Sequence, residues 1–424
     1  MNIPESNSPR IVIVGGGFAG INLAKSLGNK DVQVVLIDKH NYHTFQPLLY
    51  QVSSSGLEPD SIAYPLRKVF KKSIDFHFRM ANVVAVHPSK NEIETTIGSL
   101  TYDYLVIATG TRTNFFGNEQ IEKYSMPMKS VPQALDIRSL VLQNIEKAAN
   151  SNAKEIRERF LNFVVVGAGP TGVELAGALA EFRKGILEND YPELDEEEMQ
   201  VHLLEGGNKV LGPMSAHASK KAQEYLERLG VEVHLNTIVE SYDGTTAKTK
   251  EGNTFQTATF IWAAGVTGNP IGGINGAALL ERHNRYKVDQ FNKITGFKNI
   301  YALGDIAFME TEAYPNGHPQ VAQPAIQQGK QLGKNFKRQL QNKEMQPFKY
   351  FDKGTMATIG RNKAVVDLKK FHFAGAFAWF VWMFIHLWFL VGFRNRVVTF
   401  FNWTYNYINY DRAARLIIRP FKKS

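Results

Sequence analysis

The 424-residue sequence contains no cysteine. Disulfides, thiolate zinc centres, cysteine-ligated clusters and thiol relays are therefore excluded. The opening MNIPESNSPR has no apolar core, so no secretory signal is expected and residence on the cytoplasmic side follows as the default. Acidic residues are the scarcer charge, 40 against 49 Lys and Arg, and the sequence pI is about 9.3. The surplus gathers at Lys369, Lys370, Arg394, Arg396, Arg412, Arg415, Arg419, Lys422 and Lys423. Those positions flank an apolar run, which favours an anionic lipid surface over nucleic acid. Charge is missing altogether from Phe371 to Phe393, FHFAGAFAWFVWMFIHLWFLVGF. Elsewhere the balance is that of a globular enzyme, and the length suits two or three domains.

What is present begins with IVIVGGGFAG at residues 11–20. A β-branched strand enters Gly15, Gly17 and Gly20, and a helical pattern follows. Such a loop turns tightly, lets a pyrophosphate approach, and packs helix on strand. A second strand ends at Asp38, at the distance expected of a ribose-binding acid. The pattern recurs in LNFVVVGAGPTGVEL, with Gly167, Gly169 and Gly172, and its strand VHLLE ends at Glu205. The longer gap in this copy is filled by the acidic segment 183–199. Two such loops predict two bound nucleotides. A carboxylate at Glu205 accepts ribose hydroxyls and repels a 2′-phosphate, so a nucleotide without that phosphate is favoured there, which means NADH over NADPH if this loop holds the nicotinamide coenzyme.

Three further stretches, YDYLVIATGTRT, FIWAAGVTGNP and TGFKNIYALGD, are strands ending in small-residue turns. With them the chain resembles the two-dinucleotide-binding-domain flavoproteins. The resemblance implies an α/β fold of two Rossmann-like domains. A discontinuous FAD domain (1–115 and 275–340) receives an inserted NADH domain (116–274), and a membrane-associating helical region follows (341–424). It assigns FAD to Gly15, Gly16, Gly17, Phe18, Ala19, Gly20, Asp38 and Lys39, with Ala108, Thr109, Gly110, Gly304 and Asp305. It assigns NADH to Gly167, Gly169, Pro170, Thr171, Gly172, Glu174, Glu205, Ala264 and Gly265.

Without cysteine, electrons must pass directly from reduced flavin to the acceptor. The segments DKHNYHTFQPLLYQVSSSGLEPDSIAYPLR and VAQPAIQQGK, together with the apolar tail, resemble type II NADH dehydrogenase. That family carries electrons from NADH through FAD to a lipid quinone without pumping protons. The resemblance implies a catalytic Glu174 near the nicotinamide and flavin, and quinone contacts from Gln323 and Gln327. It also implies FAD contacts from Ala322 and Gln323, Gln46 and Pro47 at the flavin edge, and backbone contacts to adenine from Val83. Pro324 suits a first helical turn with Gln323 at its cap. His40 and His43 read as loop packing residues, and no metal is expected. Two rivals stay open: a soluble flavoprotein reductase with a non-quinone acceptor, and an NADH-sensing flavoprotein acting through a partner.

The apolar run is long enough to span a bilayer. Basic residues on both flanks and aromatics throughout argue instead for a helical pair over about 371–410 lying on one leaflet. Trp379, Trp382, Trp388, Phe401, Tyr405, Arg394 and Arg396 are the expected membrane contacts. Asn395, Thr399, Asn402, Asn406 and Asn409 form a polar stripe, with Val398, Phe401, Tyr405 and Ile408 on another face. Gly375, Trp379, Trp382 and His386 share a further stripe whose N–H groups need partners. The expected address is the cytoplasmic face of the cell membrane, where a homodimer contact is compatible with lipid contact.

Overall fold

The computed structural model describes residues 1–28, 31–183, 187–409 and 414–422. Part of the acidic segment, residues 184–186, and the basic residues Arg412 and Lys423 lie outside the described residues. In chain order the elements that matter below are β1 (Arg10–Val14), α1 (Phe18–Leu27), β2 (Gln33–Asp38), β3 (Phe76–Met80) and β4 (Tyr104–Ile107). Then come β5 (Met126–Pro127), α2 (Val131–Ala149), β6 (Asn162–Val166), α3 (Pro170–Phe182), β7 (Gln200–Leu204), β8 (Val231–His234) and β9 (Thr259–Trp262). The last are β10 (Ile300–Ala302), α4 (Ala322–Leu340), β11 (Thr355–Thr358), β12 (Ala364–Asp367), β13 (His372–Gly375), α5 (Ala376–Phe389) and α6 (Phe393–Asn409). They fall into two compact units, residues 1–43, 64–112 and 266–352 in one, and 44–63, 113–265 and 353–424 in the other.

The first unit is built on a five-stranded parallel sheet in the order β10-β4-β1-β2-β3. Strands such as RIVIV and QVVLID are apolar without alternation because helices cover both faces of a parallel sheet. The order reverses at β1, so the crevice at its C-terminal end is the expected ligand position for such a sheet. There α1 begins. It crosses α4 so closely that side chains at Gly329 and Gly333 would strike Ala19 and Ser26.

The second unit repeats the plan with a parallel sheet in the order β5-β9-β6-β7-β8. Here β6 feeds α3. The long helix α2 is started by a capping box between Ser130 and Gln133, which satisfies two of its first N–H groups. Beyond these lies an antiparallel sheet of β11, β12 and β13, then α5 and α6.

The apolar run is therefore not one helix. Phe373 and Ala374, on β13, pair with Val366 and Val365 of β12. Gly375, at a φ of 92°, turns the chain into α5. With 14 residues, α5 is about 21 Å long. No helix among the described residues is long and apolar enough to cross a membrane.

The polar stripe of α6 takes the opposite direction from the one its composition suggests. Asn395 and Thr399 are buried at 2% and 0% exposure. Asn395 donates to the carbonyls of Asp60 and Ala63, each at 3.0 Å. Asn406 donates to that of Gly56 at 3.1 Å. Residues 44–63, expected in the FAD domain, cluster with the second unit, where α6 satisfies some of their main-chain oxygens. The outward face of α6 is apolar, with Phe393, Phe400, Phe401, Tyr405 and Ile408 exposed.

Candidate active site

The two glycine loops are built alike. Gly15 N–H donates to Ile37 O, and Gly167 N–H to Leu204 O, each at 2.8 Å. Each first glycine has positive φ, 112° and 99°, and presses on the neighbouring strand end: a side chain would strike Ala108 O in one loop and Ala263–Ala264 in the other. Each last glycine packs on the first, since a side chain at Gly20 would meet Gly15 O and one at Gly172 would meet Gly167 O. The middle glycines differ from both. At Gly17 and at Gly169 an added carbon would meet nothing within 4 Å. Those two positions are the openings where a pyrophosphate can approach the backbone, with Phe18 and Ala19, or Pro170 and Thr171, opening the helix that bears the positive dipole end.

Both ribose acids are held by their own loops. Asp38 accepts from Gly16 N–H at 2.6 Å and from His40 N–H at 2.7 Å. Glu205 accepts from Ala168 N–H at 2.6 Å and from Gly207 N–H at 2.7 Å. Each carboxylate oxygen takes one protein donor and keeps a lone pair for a ribose hydroxyl. The residues present fit a dinucleotide in both loops.

The rest of the first unit's set gathers near its loop or beside it. Thr111 Oγ1 donates to Asp305 at 3.2 Å, and Thr109 Oγ1 to Asn269 O at 2.7 Å. Gly110 opens on free space. Val83 is half-buried and Lys39 is exposed. Gln46 and Pro47 form a 3₁₀ turn in the second unit. In that unit Ala264 lies against Gly167, and Gly265, at a φ of 77°, follows it.

Two positioning residues lie within segments 321–330 and 38–67, and their residue types alone do not mark their roles. Gln328 is buried, and its Oε1 accepts from Gly304 N–H at 2.7 Å, so it fixes the Gly304-Asp305 turn. His43 is more than a loop packing residue. Burial pushes its pKa down to about 4, so the ring is neutral. Its Nδ1 donates to Gly16 O at 3.0 Å, and its Nε2 is buried with no hydrogen-bond partner.

The cap of α4 differs from the expected one. Val321 is the cap, and Gln323 sits within the first turn with Ala322. Gln327 clamps the chain after the helix: its amide donates to Phe351 O at 2.8 Å and accepts from Phe351 N–H at 3.0 Å.

Glu174 sits on α3, and its carboxyl faces away from solvent toward β11 and α5. The nearest backbone donor is Thr358 N–H, at 3.5 Å. Burial pushes its pKa up to about 8 against the weaker pull of Thr358 and Trp382. The Trp382 indole N–H is oriented to this carboxyl without closing a hydrogen bond of ordinary geometry. Glu174 is therefore a neutral acid at pH 7, holding a proton in a dry site.

Trp382 was expected at the membrane, yet it is 1% exposed. It stacks on His386 at 4.1 Å and packs near Trp403 and Tyr50. Burial lowers the His386 pKa to about 4, and its Nδ1 donates to Trp382 O at 2.7 Å. The stripe of Trp382 and His386 is an inward face. Beside it a cavity of about 560 Å³ is lined by Tyr50, Thr358, Arg361, Trp379, Trp382 and Trp403 among others. Its size and aromatic walls suit a planar apolar ligand. Trp388, Phe401 and Tyr405 do face outward, as do Arg394 and Arg396, the former paired with Asp60 at 3.2 Å.

Comparison with known proteins agrees with this geometry. Residues 9–329 match the pyridine nucleotide-disulphide oxidoreductase family, and residues 353–409 match the NDH2 C-terminal domain. The type II NADH:quinone oxidoreductase Ndh of Mycobacterium tuberculosis is 36% identical over 98% of this chain and 92% of its own length. The type II NADH:quinone oxidoreductase of Haemophilus influenzae is 28% identical over 84% of this chain and 86% of its own. The solved structure of NDH2 from Plasmodium falciparum in complex with NADH superposes with a TM-score of 0.89 at 22% identity, covering 97% of this chain and all of that one.

Proposed function

The chain belongs to the type II NADH:quinone oxidoreductases, and on that premise we propose how its residues carry the reaction. It passes two electrons from NADH through FAD to a quinone and pumps no protons. FAD supplies the two-electron relay when bound, and the chain does the rest.

The observation that carries the assignment of sites is the paired loop geometry, open at Gly17 and Gly169 and closed by a ribose acid in each copy. FAD takes the first loop, with Gly15–Gly20, Asp38, Lys39, Val83, the Ala108–Gly110 turn, Gly304 and Asp305. Ala322 and Gln323 complete its contacts within this unit. NADH takes the second loop, with Gly167–Gly172, Ala264 and Gly265. There Glu205 accepts the ribose hydroxyls and repels a 2′-phosphate.

Reducing a quinone to a quinol consumes two protons, one of them from NADH. Glu174, neutral at pH 7 and screened from water, is suited to deliver the other. The aromatic cavity beside Trp382 is suited to receive the quinone ring. Gln323 and Gln327 remain the candidate quinone contacts, and Gln327 also holds Phe351.

Peripheral membrane association follows the family. The finer reading is that α5 and α6 dip their exposed aromatics into one leaflet. Phe377, Phe380, Phe384 and Trp388 line one face of α5 at helical spacing, all more than half exposed. Arg394, Arg396 and the basic residues after them favour an anionic leaflet. The leaflet is the one facing the cytoplasm, where NADH is held, and a homodimer is compatible with this orientation.

The test is acceptor choice. Enzyme in mild detergent should oxidise NADH rapidly with a short-chain quinone, and Glu174→Gln should lower that rate at least tenfold while NADH still reduces the flavin. A wild-type enzyme that reduces only protein or soluble inorganic acceptors would exclude this reading.

A further inference from the structure

Beyond the residues that the nucleotide loops use, β7 and β8 bring three side chains with lone pairs to one point. Glu232 and His234 alternate onto one face of β8, and parallel register sets His202 of β7 opposite Glu232. His202 Nδ1 lies 3.3 Å from His234 Nε2 and 3.2 Å from Glu232 Oε2. His234 Nε2 lies 3.6 Å from that same oxygen. The three atoms form a nearly equilateral triangle. A tetrahedral ion bound at about 2.0–2.1 Å separates its ligand atoms by about 3.3–3.4 Å, so the triangle already matches one face of that tetrahedron. Among the described residues this is the group whose donors converge in that way.

The rings are braced. Phe255 packs on His202 at 5.1 Å and on His234 at 5.2 Å between centroids. Its own ring joins the apolar cluster around Tyr242 and Phe260. The His202 side chain is almost buried, whereas Glu232 is half-exposed, so an ion has access from solvent.

We propose that His202, Glu232 and His234 form a site for a divalent cation of the zinc class, with water completing the coordination. Imidazole and carboxylate together select zinc, copper or nickel over magnesium and calcium. The ion replaces the hydrogen now shared between the rings by drawing both imidazoles into the tautomer protonated on the far nitrogen. No motif marks the site in sequence, and none was expected there: His202 lies 30 positions before Glu232 and meets the Glu232–His234 pair only through strand register. The site also borders the coenzyme loop, because His234 O accepts Glu205 N–H at 2.8 Å.

Isothermal titration of chelator-stripped, FAD-loaded full-length enzyme with zinc chloride tests this. One saturable site per chain with micromolar affinity is expected, undiminished by excess magnesium. Glu232→Gln, an isosteric change at an exposed position, should weaken binding at least tenfold, and His202→Ala at least as much. Flavin content and circular dichroism verify that each variant is folded. Absence of saturable binding up to millimolar zinc, or equal affinity in folded Glu232→Gln, would overturn the proposal.

Discussion

Asn395 and Asp60 are joined by a hydrogen bond of 3.0 Å from the side-chain amide of one to the main-chain oxygen of the other. It turns the polar stripe of α6 inward, onto residues 44–63. Asn395→Ala removes this donor and its second bond to Ala63, leaving two carbonyls without their partner. The expected cost is about 1–3 kcal/mol. Phe401→Ala, on the exposed face, should change stability by less than about 0.5 kcal/mol in detergent. Denaturant titration of the two variants checks the contrast.

The outward aromatics predict a separation of membrane binding from chemistry. Phe384→Asp with Trp388→Asp should weaken sedimentation with anionic vesicles at least tenfold, since each aromatic contributes about 1.5–3 kcal/mol of burial when it enters lipid. NADH oxidation with a soluble acceptor should stay within twofold of wild type. Vesicle co-sedimentation and ferricyanide assays measure the two halves.

Glu174 predicts a pH effect of definite sign. Its folded pKa, about 8, is raised above the ordinary carboxylate value of 4.5 by burial. Between those values the folded protein holds a proton that the unfolded chain has lost, so stability falls as pH rises through this window. Glu174→Gln removes the effect. Its melting temperature should match wild type near pH 4.5 and exceed it increasingly toward pH 8, while quinone turnover is lower throughout.

Coenzyme choice should follow Glu205. Glu205→Ser removes the charge that opposes a 2′-phosphate and shortens the ribose acceptor. The ratio of kcat/KM for NADH over NADPH should drop at least tenfold, mostly through a higher KM for NADH. Steady-state kinetics with both coenzymes give the ratio.

Much of the fold was legible from residues alone, and the boundary is physical. Glycine spacing and the terminal acids Asp38 and Glu205 foretell the loops, because the steric demand at Gly15 or Gly167 is local. Helix α2 begins at Val131 behind its capping box, a Ser130–Gln133 pair that is local in sequence. Periodicity showed that α6 has two faces but not which one is buried, since Asn395 and Thr399 satisfy carbonyls that come from more than 300 residues away. For the same reason Trp382 read as a lipid contact, although it lies against a buried acid. Gln328 and His43 were illegible because each supports a loop through one hydrogen bond to the main chain. The strand at His372–Gly375 was hidden inside an apolar run that pairs with β12 rather than continuing into α5.

The central claim is that electrons enter as NADH and leave to a quinone through one flavin. Anaerobic stopped-flow absorbance of the purified, FAD-loaded enzyme tests it most directly, with NADH added first and a short-chain quinone second. Rapid bleaching of the flavin by NADH, followed by reoxidation by quinone at a rate no slower than steady-state turnover, is the predicted result. A flavin that stays reduced after quinone is added would contradict it.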